Sequence, residues 1–500
     1  MLALTAETRA ASLAAMADGI LDVLVIGGGI TGAGVALDAA ARGFRVALVE
    51  REDIASGTSG RSSRLIHGGA RYLRRAEFGL VRESLRERAV LLRLAPHLVR
   101  PLSFLFPARG PVQRGEAGIG LGLYRFLAPG RSPGHRWVDR DEALRLAPGL
   151  ARPSGGYVYR DCQTDDARLT LEVVRAAAGH GALVATRTEV VGLVGEGSVT
   201  GARMVDRLSG ARLDVRARII VNATGAWADR LLPVSSRPRL RPSVGIHVVL
   251  NRRRLPIRSA VLIPSARDRR ALFLAIPWGP RVYVGPTDAA YAGPLEDPSV
   301  DPDDVATLLA SVDRAFDASL GDGDVVSTWA GVRPLLDTGR GPTRDLSRRH
   351  VVIENPPRLV TVTGGKLTTY RSMAEQVVDR LCRTLGDGGR PRTANIPLGL
   401  TRPLAGERQR AAVRARELGL PPGAGWRLVE RYGDDWPEAA RAIADEPSLG
   451  EQAIPGLPVL RVESVMARRR ELALTEEDVL VRRTRLATMD ARAGSPGFVW

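Results

Sequence analysis

Three glycines, an apolar run and an acid occur near the start of the chain in the order that binds a dinucleotide. Gly27, Gly29 and Gly32 form a G-x-G-x-x-G turn directly after the sequence DVLVI and before an alanine-rich segment. Glycine permits this tight turn and lets a pyrophosphate approach the N-terminus of the following helix. Glu50 ends the next apolar run, where its carboxylate can accept hydrogen bonds from a ribose. An acid there favours NAD or FAD over NADP.

Two further glycine motifs lie far downstream, each directly after an apolar run. Residues 222–225 read NATG, and residues 361–370 read TVTGGKLTTY, which contains Lys366, the only lysine of the chain. A strand followed by Gly364 and Gly365 at a helix N-terminus presents backbone N–H groups to a second part of a long cofactor. Because an NAD site does not require elements so widely spread, the sequence favours FAD.

Several longer motifs resemble those of one enzyme family. GTSGRSSRLIHGGARYL, DCQTDDARL, NATGAW, GPTD, WAGVRPL, TRD, GGKLTTY and EDVLVRRTR occur in the order found in FAD-dependent glycerol-3-phosphate dehydrogenases. The resemblance runs from about residue 22 to about residue 489. It implies oxidation of sn-glycerol 3-phosphate to dihydroxyacetone phosphate, with hydride transfer from C2 to flavin N5 and electrons passed to a membrane quinone.

The resemblance also implies how a phosphorylated substrate is held. Its motifs place phosphate-binding roles on Arg71, Arg333 and Arg344, with neutral hydrogen bonds from Tyr72 and Thr287. Arginine suits this role because its planar fork grips a phosphate with two bonds and keeps its proton. Since Arg333 lies in the apolar sequence AGVRPLL, where a guanidinium without a partner is costly, we expect it to be functional.

Two histidines compete for the role of the base that takes the hydroxyl proton. His247, in the strand-like sequence GIHVVL, matches a histidine of the family's substrate site, whereas His67 in LIHGG is expected to pack against the flavin. The sequence leaves the choice open, because a histidine on an apolar strand is often a core residue.

The expected site residues fall into three groups. The catalytic set is His247, Arg333, Lys366 and His67, and the substrate-binding set is Arg71, Tyr72, Thr287, Arg333 and Arg344. The expected FAD ligands are Gly27, Gly29, Gly32, Glu50, Thr58, Ser59, Ser63, Gly225, Gly364, Gly365, Lys366, Leu367 and Thr368. We expect Lys366 beside flavin N1 and C2=O, where a compact ammonium stabilises the negative charge of the reduced ring and a guanidinium would not fit. No histidine spacing suggests a metal site.

The net charge of the chain and one apolar segment indicate what kind of partner the protein binds. The formal net charge is +17, from 72 Lys and Arg against 55 Asp and Glu, which favours phosphorylated or anionic partners. Residues 117–127 (AGIGLGLYRFL), with Arg114, Arg125 and Arg131 around them, predict either a membrane-interface segment or a core helix, although their glycines weaken the prediction of a helix. In residues 462–487, acids alternate with the arginine clusters and aromatic residues are absent, which disfavours nucleic-acid binding.

The cysteine content and the hydropathy of the sequence indicate the cellular compartment of the protein. Cys162 and Cys382 are isolated, which fits a reducing cytoplasm. The first residues lack the basic start of a signal peptide, and no apolar run is long enough to span a membrane. We therefore expect a cytoplasmic protein that is peripheral on the inner face of the cell membrane, with a homodimer possible.

The order of apolar runs and helical segments predicts an α/β fold. We expect a Rossmann-like FAD-binding domain (20–75, 160–235 and 340–388), an inserted α+β substrate-binding domain (76–159 and 236–339) and a helical C-terminal domain (393–500). Residues 78–94 predict a long amphipathic helix. Residues 101–153 are rich in Gly, Pro and Arg, and regular strands are hard to place there.

Other functions stay open from the sequence. The same fold could carry a glycerol-3-phosphate oxidase that uses O2, or an amine or amino-acid oxidase, although paired Arg333 and Arg344 favour a phosphate over one carboxylate. A non-catalytic basic adaptor that binds flavin and a membrane or nucleic acid would make no use of the GVRPL and GGK motifs.

Overall fold

The structure is a computed structural model that describes residues 2–108, 110–130, 134–232, 240–268, 271–337, 343, 346, 349–386 and 388–494. In chain order the strands are β1 (Ile20–Ile26), β2 (Val46–Val49), β3 (Leu65–Ile66), β4 (Arg100–Ala108), β5 (Arg136–Val138), β6 (Gly155–Gln163), β7 (Leu183–Ala185), β8 (Thr188–Val194), β9 (Gly201–Asp206), β10 (Arg212–Asn222), β11 (Ser243–Asn251), β12 (Ala260–Pro264), β13 (Leu272–Trp278), β14 (Arg281–Gly285), β15 (Ala289–Ala290), β16 (Val325–Arg333), β17 (His350–Glu354) and β18 (Leu359–Gly364). The α-helices are α1 (Ala6–Ala17), α2 (Ile30–Ala41), α3 (Phe78–Leu94), α4 (Pro111–Phe126), α5 (Arg140–Leu146), α6 (Asp166–Gly179), α7 (Pro302–Phe316), α8 (Tyr370–Leu385), α9 (Leu404–Glu417), α10 (Ala424–Tyr432), α11 (Trp436–Asp445), α12 (Val462–Arg470) and α13 (Leu486–Met489).

The first sheet has the order β17-β18-β10-β1-β2-β7, with β9 beside β10 and β8 beside β9. Strands β18, β10, β1, β2 and β7 run parallel, so their carboxyl ends meet at one edge. Val23 and Val25 pack into a core with α2, α6 and α8, while Leu21 and Leu24 pack into a second core on the opposite face. Burial on both faces explains the continuous apolar run of β1.

The second sheet has the order β15-β11-β14-β13-β12-β4-β6-β3, with β16 beside β11 and β5 beside β6. It contains β4, which lies largely in the segment where the sequence made strands hard to place. Pro101 and Pro107 lower the strand propensity of this segment, but β4 is fixed by antiparallel pairing to β6 over its whole length and by β12 on its other side. Strand pairing between distant segments is not visible in the local pattern.

The structure forms helices in two segments of the N-terminal half where the sequence suggested them, residues 78–94 and residues 117–127. The long helix expected over residues 78–94 is confirmed by α3, and the segment with three glycines does form a helix, α4. Gly118 has a packing reason to be glycine, because an added Cβ would lie 2.6 Å from the Tyr157 hydroxyl oxygen. In the described ranges, no helix is both apolar enough and long enough to cross a bilayer.

The C-terminal residues form the expected helical domain, with α9 to α13 and a π-helical turn at Asp478–Arg483. Buried ion pairs join this domain to α6 in the first part of the chain. Arg168 of α6 makes a bidentate pair with Glu471, and Arg175 of the same helix pairs with Asp435. These arginines are 1% exposed, so each depends on its carboxylate partner. The architecture confirms the predicted α/β class with a helical C-terminal domain.

Candidate active site

The turn between β1 and α2 is built so that only glycine fits. Gly27 has a φ of +112°, and a Cβ on it would lie 2.6 Å from the Ala223 carbonyl oxygen at the end of β10. A Cβ on Gly32 would collide with the carbonyl oxygen of Gly27. Gly29 is the N-cap of α2, so the free N–H groups of that helix point to the turn. This geometry leaves a bare anion-binding cradle at the carboxyl edge of the first sheet.

Glu50 lies beside this cradle at the end of β2. Its two carboxylate oxygens accept hydrogen bonds from the N–H groups of Gly28, at 2.6 Å, and Glu52, at 2.9 Å. Burial raises the pKa of Glu50, and the two N–H donors oppose that rise. The Ser59 hydroxyl accepts from the Ile30 N–H at 2.9 Å, so Ser59 lies at the start of α2.

A cavity of about 180 Å³ opens where the carboxyl ends of the first sheet meet the second sheet. The structure brings many predicted residues to its wall. The predicted residues that line the cavity are Thr58, Ser63, His67, Arg71, Tyr72, His247, Arg333, Gly364, Gly365, Lys366, Leu367 and Thr368. The other lining residues are Arg61, Ser62, Leu65, Gly245, Gly331, Pro334 and Leu335. Gly225 lies near this edge, where its carbonyl accepts from the Thr363 hydroxyl at 3.3 Å. Arg344 lies outside the described residues.

Lys366 and Arg71 meet around one tyrosine. The Lys366 Nζ lies 3.9 Å from the centre of the Tyr72 ring and 3.3 Å from the Ser84 hydroxyl oxygen. Arg71 donates to the Tyr72 hydroxyl at 3.0 Å. Burial lowers the pKa of Lys366 to about 8, and Arg71 adds to this fall. Two cations are therefore held at one wall by an aromatic face, which stabilises them without neutralising their charge.

Arg333 reaches the cavity from the end of β16, on the second sheet. Its guanidinium donates to the Ser243 hydroxyl at 3.1 Å and to the Thr287 carbonyl at 3.0 Å, and the Asp288 carboxylate lies 3.8 Å away. A Cβ on Gly245 would collide with this guanidinium. The Arg333 side chain remains 23% exposed. Protein groups thus fix the direction of the guanidinium at the cavity wall.

The structure uses Thr287 differently from the sequence prediction. Its hydroxyl donates to Asp304 at 2.7 Å and accepts from the Ile246 N–H at 3.1 Å, and the residue is 5% exposed. With both hydrogen-bonding roles occupied inside the protein, this hydroxyl has no proton left for a substrate. Thr287 supports Arg333 through its carbonyl.

Both candidate histidines lie at the cavity wall in different settings. His247 is 2% exposed, its Nε2 lies 3.0 Å from the Ser63 hydroxyl oxygen, and its ring stacks on Trp329 at 4.4 Å. Burial holds the pKa of His247 well below its usual range, as do Arg333 and Arg64. His67 is only partly buried, and burial with Lys366 and Arg71 nearby lowers its pKa to about 3. Both rings are therefore neutral at physiological pH.

Other predicted residues hold the loops around the cavity together. The Thr58 hydroxyl donates to the Val332 carbonyl at 2.6 Å, which ties the loop after β2 to β16. The Thr368 hydroxyl accepts from the His67 N–H at 3.1 Å, which ties the loop after β18 to that before α3. Gly364 and Gly365 have φ values of +78° and +84°, which favour glycine.

Sequence reasoning missed three of the polar residues at this site. Arg61 and Ser62 line the cavity and stand inside the quoted motif GTSGRSSR, so their position beside Ser63 was the available signal. Burial lowers the pKa of the Arg61 guanidinium. Ser84 lies on the inner face of α3 as an ordinary core serine, and nothing in the sequence marks it as a partner of Lys366.

These features fit FAD. The glycine turn and the N-terminus of α2 suit a pyrophosphate, and the Glu50 carboxylate suits a ribose. The cavity lies at the same sheet edge, where Gly364 and Gly365 present backbone without side chains. A two-part ligand can thus span the edge from the turn to the cavity.

Comparisons with known proteins identify the family of both parts of the chain. The model of the family described as FAD dependent oxidoreductase matches residues 22–380. The model described as C-terminal domain of alpha-glycerophosphate oxidase matches residues 392–496.

Named relatives and a solved structure narrow the family. Glycerol-3-phosphate dehydrogenase 2 of Mycobacterium tuberculosis is 41% identical over 477 residues, which cover 93% of this chain and 81% of the relative. Glycerol-3-phosphate dehydrogenase of Mycobacterium leprae is 40% identical over 498 residues, which cover 97% of this chain and 84% of the relative. The crystal structure of glycerol-3-phosphate dehydrogenase from Bacillus halodurans with FAD superposes with a TM-score of 0.79 at 30% identity, over 98% of this chain and 90% of that one. The chain therefore belongs to the family of FAD-dependent glycerol-3-phosphate dehydrogenases, and FAD is its cofactor.

Proposed function

We propose that the protein oxidises sn-glycerol 3-phosphate to dihydroxyacetone phosphate and passes the electrons to a membrane quinone. The observation that carries this proposal is the convergence of Arg71, Arg333 and Lys366 on one small cavity at the FAD-binding edge. A phosphate dianion needs such a cluster, and an arginine fork can bind its oxygens in pairs. The single carboxylate of an amino acid would leave part of this charge uncompensated.

We assign phosphate binding to Arg71 and Arg333, which approach the cavity from different loops. Arg71 is exposed to the cavity and is steadied by Tyr72, and Arg333 is steadied by Ser243 and the Thr287 carbonyl. Each guanidinium is held in place before a substrate arrives, which lowers the entropy lost on binding. Lys366 holds a third positive charge close to Tyr72.

FAD, when bound, supplies the acceptor for the hydrogen at C2 and its two electrons. The protein must take the proton of the C2 hydroxyl, and we assign this to His67. His67 is neutral and partly exposed at the cavity wall, whereas the Nε2 of His247 already lies at the Ser63 hydroxyl and its ring is buried against Trp329. The nearby cations Lys366 and Arg71 also stabilise the alkoxide that forms as the proton leaves.

The proposal predicts anaerobic bleaching of the flavin absorption band when sn-glycerol 3-phosphate is added to the FAD-loaded protein. Glycerol should bleach it far more slowly because it offers no charge to the arginines, and glycine should fail because it lacks the secondary alcohol. A stopped-flow spectrophotometer under argon measures all three. An unbleached band with glycerol 3-phosphate would rule the proposal out.

Reoxidation of the bleached protein assigns the electron acceptor. We expect a soluble quinone analogue to restore the band much faster than air-saturated buffer does. Fast recovery in air with one hydrogen peroxide per turnover would instead support the oxidase alternative.

Helix α4 supports a membrane as the place of electron transfer. Its residues Val112, Ile119 and Phe126 lie two turns apart on one face and are 72%, 76% and 83% exposed. Exposed Arg114 and Arg125 belong to the same helix. An exposed apolar stripe suits a membrane interface, and the net charge of +17 favours an anionic bilayer. We propose that α4 lies on that surface.

Replacement of Ile119 by glutamate should weaken binding to phosphatidylglycerol-containing vesicles by roughly tenfold, because a charge replaces an apolar side chain at the interface. Cosedimentation measures the bound fraction. The matched control is Val413→Glu, which makes the same kind of change at an exposed position on α9. Equal losses in the two variants would show that added negative charge, and not the α4 surface, weakens the binding.

A further inference from the structure

We propose that Arg485, in the C-terminal domain, is a positioning residue for the active site. Acting partly through Asp166, it fixes the turn formed by residues 60–64, which lines the cavity with Arg61, Ser62 and Ser63. The inference rests on the proposed function for its kinetic consequences, but the positioning itself is a property of the folded chain.

Arg485 reaches the turn directly. Its guanidinium donates to the Gly60 carbonyl at 3.0 Å and to the Asp165 carboxylate at 2.8 Å, and it pairs with Asp166. The residue is 1% exposed, so this charge depends wholly on its partners. It also adopts a left-handed backbone with a φ of +66°, which a non-glycine residue holds only when its surroundings impose it.

Asp166 continues the connection into the turn. This residue is fully buried at the start of α6, and its Oδ2 accepts from the Ser62 N–H at 2.8 Å and from the Ser62 hydroxyl at 2.7 Å. The Ser62 hydroxyl oxygen in turn accepts from the Arg64 N–H at 3.0 Å. Arg64 is also left-handed, with a φ of +55°. The Asp166 carboxylate, which Arg485 holds, thus fixes the Ser62 N–H directly and the Arg64 N–H through the Ser62 hydroxyl.

The opposite side of the turn faces the second sheet and the reacting groups. The Ser63 carbonyl accepts from the Tyr283 hydroxyl at 3.0 Å, and the Ser63 hydroxyl lies 3.0 Å from His247 Nε2. The Arg64 guanidinium lies over the Trp278 ring at 4.0 Å. The turn therefore lies between the C-terminal domain and the second sheet, and a shift on one side displaces the cavity wall on the other.

The rest of the C-terminal domain keeps Arg485 in place. Arg431 of α10 pairs with Asp165 at 2.6 Å, and Arg483 makes a bidentate pair with Asp53 at 2.8 Å. A purely structural ion pair would contribute to stability alone. The hydrogen bonds to Gly60 and, through Asp166, to Ser62 are what connect this particular arginine to the cavity.

The test compares Arg485→Lys with Arg175→Lys in the FAD-loaded protein. Both arginines are 1% exposed and both join α6 to the C-terminal domain, but Arg175 pairs with Glu172 and Asp435 and makes no contact with residues 60–64. Lysine keeps the charge and loses the planar fork. Hydrogen–deuterium exchange should be about tenfold faster over residues 58–64 in Arg485→Lys and unchanged there in Arg175→Lys.

Kinetics supply the second measurement. Flavin reduction at saturating glycerol 3-phosphate should slow by roughly 10- to 100-fold in Arg485→Lys, because small displacements of reacting groups cost that much, while Arg175→Lys keeps the wild-type rate per bound flavin. Ser62→Ala removes the hydroxyl bond to Asp166 without touching the ion pairs. Its effect should be less than additive with that of Arg485→Lys, since both changes weaken the connection through Asp166.

The inference would be overturned if residues 58–64 of Arg485→Lys exchanged hydrogen at the wild-type rate. It would also be overturned if the effects of Arg485→Lys and Ser62→Ala on flavin reduction were fully additive. If Arg485→Lys does not fold, faster exchange over this peptide in Ser62→Ala supports the inference and unchanged exchange overturns it. Failure of the wild-type protein to react with glycerol 3-phosphate would reject the proposed function and leave the exchange result to decide the positioning.

Discussion

Replacing Lys366 by arginine is expected to slow anaerobic flavin reduction by about 10²-fold or more, as loss of one electrostatic donor at a reacting centre does. The ammonium fits a space bounded by the Tyr72 ring at 3.9 Å and the Ser84 hydroxyl at 3.3 Å. A planar guanidinium is wider and would move the charge away from that point. Because the arginine variant keeps the charge, a large loss identifies geometry as the cause. Rapid-mixing absorbance measures the rate, and Tm in the same buffer should change little.

The pH dependence gives this prediction a second readout. Burial lowers the pKa of Lys366 to about 8. The ammonium is present below that pH and is lost above it, so wild-type kcat/KM should fall as the pH rises through about 8, since kcat/KM reports the ionisations of the free enzyme. The arginine variant should lack this limb because a guanidinium keeps its proton. Unchanged reduction kinetics in Lys366→Arg would contradict the assigned role.

Replacing Arg333 by methionine is expected to lower kcat/KM for glycerol 3-phosphate by roughly 10²- to 10³-fold, the usual cost of removing one member of a desolvated charge pair. Ser243 and the Thr287 carbonyl fix the guanidinium, whereas the Lys366 ammonium is held at Tyr72 and Ser84 and cannot take its place. Steady-state kinetics with a quinone analogue measure the loss, which should fall mainly on KM. FAD content should stay near that of the wild type.

The control for Arg333 is the exposed Arg253, replaced by methionine in the same way. Its side chain lies on the loop after β11, and we expect wild-type kinetics. A drop of equal size in both variants would mean that net charge governs the rate. An Arg333→Met variant with normal KM would remove this arginine from the phosphate site.

Local patterns made part of the site predictable. The turn from Gly27 to Gly32, the acid Glu50 and the pair Gly364 and Gly365 are short motifs whose chemistry depends on neighbours in sequence. The parallel sheet then brings their loops to one edge, as its strand order requires. Helix α3 was likewise predictable from its own amphipathic repeat.

Other features depend on residues far apart in sequence. Strand β4 contains two prolines and is fixed only by β6 and β12. The hydroxyl of Thr287 is occupied by Asp304, on a helix that the motif GPTD does not reveal. Arg485 stands in the quoted motif EDVLVRRTR, yet its partner Gly60 lies 425 residues away in the chain. Such pairs become visible only when the two segments fold together.

Arg168 pairs with Glu471, and Arg175 pairs with Asp435. These ion pairs also constrain how the sequence of this chain can evolve. The two family models meet between residues 380 and 392, and that junction invites exchange of the last segment among relatives. An exchanged segment that lacked either carboxylate would leave a buried guanidinium of α6 without its counter-ion. The two segments are thus expected to be inherited as one unit, with substitutions on one side matched on the other.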